Sequence, residues 1–140
     1  MMLKGIPPEI TPELLAEIAQ LGHGDRVAVV DRNFPAYSRG ASVVVLAGVD
    51  VTEALEALWV LLPIDAFVEE PVEVMTQDSG EPSVIHDSVG QLATLAERRS
   101  VQPGRVDRHG FYEGASECQL IVKTSDSRPY ACAMFSVGVV

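Results

Sequence analysis

One histidine set between two glycines, Gly22-His23-Gly24, with Asp25 next to it, is the stretch of this chain best suited to moving a proton. Imidazole titrates near neutrality in its ordinary state, and bare glycine flanks leave room for a ligand to reach it. The corner follows an amphipathic segment, where the unpaired carbonyls of a helix end favour an imidazolium and Asp25 adds a carboxylate. A histidine so placed can act as a general acid; a solvated loop histidine capping the helix fits the same spacing. Asp31 stands at the carboxyl end of the apolar run Val27-Ala28-Val29-Val30. In open α/β sheets that is the edge where ligands bind, and the loop Arg32 to Ser38 after it is rich in hydrogen-bonding and aromatic groups. A turn-forming acid is the plainer reading of Asp31.

A second group lies near the other end of the chain. Arg108-His109-Gly110-Phe111-Tyr112-Glu113 packs a cation, an imidazole, two aromatics and a carboxylate into six positions. Aromatic faces cover the C–H faces of a sugar while charged groups bond its hydroxyls, so the mixture could grip a polyol. A short amphipathic helix with Phe111 and Tyr112 in the core is the alternative. Tyr130, before the last apolar run, is a turn residue first and a ligand contact second.

Other chemistries find no support in the pattern. His23, Asp25, His86 and His109 show no metal-ligand spacing. No G-x-S-x-G elbow, G-x-G-x-x-G or Walker-type loop is present. Cys118 and Cys132 each sit inside an apolar segment and read as buried small hydrophobes rather than a disulfide or a metal site.

The elements that must position these residues follow from periodicity. Thr11-Pro12-Glu13 opens a first helix running to about Leu21. Val27–Val30 and Val43–Leu46 read as buried strands. Asp50 and Glu53 make a capping box for a second helix that Pro63 stops. A strand at Val72–Met75, a polar turn at Gln77–Pro82 and a third helix over Val84–Arg99 follow, the last with a glycine, Gly90, in its interior. Then come a short strand at Arg105–Asp107, the aromatic segment His109–Ala115, and strands Leu120–Thr124 and Ala131–Val137. Strands alternating with helices predict a single α/β domain over 1–140, in three layers, with a largely parallel sheet and helices on both faces. The short turn between the last two strands predicts a C-terminal antiparallel hairpin.

The 140 residues are 47% hydrophobic, enough for one real core. A net charge of −10, from 20 acidic and 10 basic residues, repels nucleic acid and anionic lipid surfaces, so neither is expected as a partner. No apolar run is long enough for a signal peptide or membrane span, which places the protein in the cytoplasm by expectation.

Together the opening "GIPPEITPELLAEIAQLGHGDRVAVVDRNFPA", the "RHGFYEGA" segment and "RPYACA" resemble the L-fucose mutarotase and D-ribose pyranase family of small sugar-isomer enzymes. "GHGD" followed by "D" and "FPA" is the most specific piece, and Arg108 with "FYE" is closer to the fucose branch. The resemblance implies an acid at His23, a sugar-contacting carboxylate at Asp31, and further contacts at Arg108, Tyr112 and Tyr130. It also implies a cofactor-free reaction on a free monosaccharide and a homo-oligomer, a decamer of stacked rings with sites where neighbouring subunits meet. Cys132 stands where the family's tail motif usually carries an asparagine that contacts substrate, and Tyr37 where the fucose branch often carries histidine. A thiol bonds hydroxyls weakly, so a sugar-binding oligomer without turnover is the alternative to an isomerase.

Overall fold

The computed structural model covers residues 1–140. Thr11 caps the first helix, α1 (Pro12–Ala19), its hydroxyl accepting the Leu14 N–H at 3.1 Å, with proline at the first helical position. β1 (Arg26–Val30) and β2 (Ser42–Leu46) follow, separated by a single 3-10 turn at Ala36–Ser38. The capping box forms as read: Asp50 accepts the Glu53 N–H at 2.8 Å while Glu53 accepts the Asp50 N–H at 3.1 Å, opening α2 (Val51–Leu61). β3 (Val72–Met75), α3 (His86–Glu97), β4 (Gly104–Val106), α4 (Arg108–Ala115), β5 (Leu120–Thr124) and β6 (Ala133–Ser136) complete the chain.

Six strands form one mixed sheet in the order β2-β5-β1-β6-β3-β4. The five strands other than β6 run parallel to one another, and β6 is antiparallel to both of its neighbours, β1 and β3. Val27 and Val29 face a core built with α1, α2 and α3, while Ala28 and Val30 face a smaller one built with α4. The α/β class, the largely parallel sheet and helices on both faces are as the pattern predicts.

The C-terminal hairpin is not. β5 and β6 lie on opposite sides of β1 and do not pair. Val27 to Val30 are all fully buried, so β1 has an apolar side chain for each face and needs a neighbour on each edge, which only a central seat supplies. The segment from 125 to 132 is long enough to step over it, since two strand spacings are only about 10 Å.

The third helix is shorter than its apolar period predicted. It starts at His86 and ends where Arg98 turns left-handed, at φ 55°. Gly90 has a packing reason for its place inside that helix: a Cβ there would stand 3.0 Å from the Pro103 ring. The aromatic segment is an α-helix from Arg108, capped by Asp107, whose carboxylate accepts the Gly110 N–H at 2.7 Å. Both cysteines are buried and unpaired. No helix is long and apolar enough to cross a membrane.

Candidate functional site

Parallel strands bring their carboxyl ends to one edge of the sheet, and antiparallel β6 brings its amino end to the same edge. Five connections therefore converge there. Asp31 follows β1, Asp78 follows β3, Arg108 follows β4, and Tyr130 and Cys132 precede β6. They line a cavity of about 340 Å³ whose apolar wall is Phe34, Met75 and Tyr112.

Asp31 is 6% exposed. One oxygen accepts the Asn33 N–H at 2.9 Å, and the other accepts the Cys132 thiol at 3.6 Å. Burial raises its pKa above the ordinary carboxylate value, against the pull of those hydrogen bonds. The same burial, with Asp31 alongside, pushes the Cys132 thiol well up, so it stays protonated and donates.

Arg108 donates from Nε to Asp78 Oδ1 at 3.1 Å. This bond lowers the Asp78 pKa, with the Tyr130 hydroxyl adding to the effect. Tyr112 stands edge-on to Phe34, ring centroids 5.3 Å apart, with the Arg39 and Arg108 guanidiniums 5.4 and 6.0 Å from its centre. Its neighbour Phe111 is fully buried. The two readings of the aromatic segment thus divide between adjacent residues, Phe111 serving the core and Tyr112 the cavity wall.

His23 is elsewhere. It precedes β1 whereas Asp31 follows it, and of the seven residues between them the five of β1 alone span roughly 17 Å of extended chain. Spacing placed the two in one company; within a single chain the structure separates them. Nor does the imidazole use the partners expected of it. α1 ends at Ala19, before the corner. The Asp25 carboxylate accepts the Gly22 N–H at 2.8 Å, tying the corner into a turn in which Gly24 takes φ 87°, a conformation that favours glycine. The ring instead meets Asp65, with Nε2 3.2 Å from Oδ1, and packs edge-on against Phe67 at 5.6 Å.

Asp65 is 3% exposed and also accepts the Phe67 N–H at 3.0 Å. That bond chiefly, with the imidazole beside it, lowers its pKa. A buried carboxylate holding an exposed imidazole is a geometry that fixes the ring's orientation. Phe67, beside it, is 73% exposed, so the His23 corner presents an imidazole and an aromatic face outward.

Asp65 and Asp78 escaped the reading of the sequence. The rule that singled out Asp31, an acid just beyond the carboxyl end of a parallel strand, applies equally to Asp78 after β3. Asp65 carries no such signal, because its partner is 42 residues away. Tyr37, 71% exposed, is not among the residues lining the cavity; its ring lies near Lys123.

The chain is an open α/β sheet with a polar, aromatic-walled cavity beyond the carboxyl ends of its strands, the place where folds of this class bind small ligands. The chain belongs to the RbsD / FucU transport protein family, whose model matches residues 4–140. It is 35% identical over 143 residues to an L-fucose mutarotase of Actinobacillus pleuropneumoniae, covering 99% of this chain and 97% of that one. FucU from Bifidobacterium longum superposes with a TM-score of 0.91 at 34% identity, over 98% of this chain and 99% of that one. The fucose mutarotase of Streptococcus pneumoniae in complex with L-fucose gives 0.88 at 29%, over 99% of each chain. The family resemblance read from the motifs is borne out.

Proposed function

We propose that this protein is a mutarotase that interconverts the anomers of a free monosaccharide, L-fucose first, by acid- and base-assisted ring opening. The observation that carries this reading is the convergence of Asp31, Asp78, Arg108, Tyr112 and Tyr130 on one cavity of monosaccharide size. Carboxylates and a guanidinium bond hydroxyls, and the wall of Phe34, Met75 and Tyr112 takes the apolar face of the ring. The relatives named as L-fucose mutarotases and the fucose complex support the choice of sugar.

Opening the ring removes a proton from the anomeric hydroxyl and delivers one to the ring oxygen. His23 supplies the ring-oxygen proton, steadied by Asp65; a tyrosine or a water takes the anomeric proton. Asp31, Arg108, Tyr112, Tyr130 and the Cys132 thiol fix the sugar, and positioning supplies part of the acceleration. The reaction moves no electrons and needs no cofactor. Because His23 sits a strand's length from its own cavity, it serves the cavity of a neighbouring subunit in a homo-oligomer, a decamer on the family pattern. The exposed His23 and Phe67 pair suits such a contact.

Mixing two inactive variants tests the shared site. His23→Ala and Asp31→Ala subunits, mixed one to one after dissociation and reassembly, should regain about a quarter of wild-type exchange if each site draws on two chains. No recovery in mixed oligomers contradicts sharing.

The separation of His23 from the cavity also favours a second reading, a sugar-binding oligomer without turnover. Calorimetric binding of L-fucose with no anomer exchange would select it.

A further inference from the structure

Tyr130 has a left-handed backbone, φ 60°, one of only two non-glycine residues with positive φ. Tyrosine has no intrinsic preference for that conformation, so something around it must hold it. Its carbonyl accepts two hydrogen bonds, one from the Cys132 N–H at 2.9 Å and one from the Ser83 hydroxyl at 2.9 Å. The first is local. The second reaches across 47 residues from the entry to α3.

Ser83 is itself held. It is 5% exposed, its Oγ accepts the Ile85 N–H at 3.3 Å, and its carbonyl accepts the His86 N–H at 3.1 Å. It also ends the loop that carries Asp78. That loop is closed by Gln77, whose N–H bonds the Glu81 carbonyl at 2.9 Å and whose side-chain amide bonds the Pro82 carbonyl at 2.9 Å. One buried hydroxyl therefore fastens the Asp78 loop, which follows β3, to the Tyr130 turn, which precedes the neighbouring strand β6, and both segments line the cavity.

We propose that Ser83 is a positioning residue for sugar recognition: its hydroxyl clamps the Tyr130 carbonyl and so fixes the tyrosine ring beside Asp78 and Arg108. Ser83 does not line the cavity, so it acts through Tyr130. The inference rests on the cavity being a monosaccharide site.

The test uses the full chain with Ser83→Ala and Ser83→Thr, L-fucose as probe, anomer exchange for KM and kcat, calorimetry for Kd, and thermal melting. Losing the clamp should raise KM and Kd about tenfold, the worth of one buried hydrogen bond, with kcat within about twofold. Ser83→Thr keeps the hydroxyl and should restore both constants. A merely structural role would lower the melting temperature and leave the constants of the folded fraction unchanged. Constants within about twofold of wild type in Ser83→Ala, or a threonine variant as weak as the alanine one, would overturn the proposal. Should Ser83→Ala not fold, Ser83→Cys, close in volume and a weaker donor, is judged by the same comparison. A wild type that binds L-fucose without exchanging it would overturn the mutarotase reading while Ser83 is still judged on Kd. A wild type that does not bind it would overturn both.

Discussion

Phe111→Ala should cost about 4 kcal/mol of stability, within the roughly 3 to 5 usual for a buried phenylalanine. α4 is eight residues long, too short to persist on its own. Phe111 and Ala115 are its only fully buried side chains, and the Phe111 ring packs edge-on against Phe34 with centroids 5.6 Å apart. Removing the ring forfeits roughly 150 Å² of apolar burial, about 4 kcal/mol at 25 cal/mol per Å². Loss of the aromatic pair adds about 1 kcal/mol, and partial collapse of the site returns a similar amount. With a urea slope of about 2 kcal/mol per M, the unfolding midpoint should fall by about 2 M. The assay is urea unfolding followed by circular dichroism at one fixed protein concentration, so that self-association does not shift the midpoint. Phe111→Leu, keeping most of the buried carbon, should lose less than about 1.5 kcal/mol. Arg108 and Tyr112 ride on the same helix, so KM for the sugar should rise even where the alanine variant stays folded. A midpoint shift under about 0.5 M would refute the reasoning, because α4 would then be anchored by something other than this ring.

Three further outcomes follow from the same geometry. Asp31→Asn should abolish exchange yet raise the melting temperature at pH 7. Burial raises this carboxyl's native pKa, so its favourable contribution is complete below the unfolded value of about 3.8 and is lost as pH rises through the native one. The gain over wild type should therefore shrink toward pH 3.8, and a gain independent of pH would contradict the assignment to the carboxylate. Asp50→Ala removes the capping box of α2 and should cost about 1 kcal/mol by chemical unfolding, no change being the contrary result. Arg108→Ala should raise KM for L-fucose with a smaller effect on kcat, and an unchanged KM would remove Arg108 from the sugar's contacts.

Local chemistry was legible in the sequence. The Asp50 and Glu53 box, the Thr11-Pro12 start and the apolar run Val27–Val30 of β1 each declare themselves within a few residues, and the structure realises each. Of the six candidate residues, Asp31, Arg108, Tyr112, Tyr130 and Cys132 line one cavity because all of them sit where strands end on one edge. What escaped is long-range. The partner of Arg108 is 30 residues away and that of His23 is 42, and spacing along a chain carries no trace of either. The β5 and β6 pairing failed for the same reason: a short connection limits how far apart two strands lie, but not whether a third strand occupies the gap.

Saturation-transfer NMR on L-fucose, comparing the wild type with His23→Ala, tests the central claim most directly. Accelerated exchange between the α and β anomers in the wild type, lost in a folded His23→Ala variant, is the predicted result. Exchange that survives the loss of His23 would contradict its role as the acid, and no exchange by the wild type would contradict mutarotation itself.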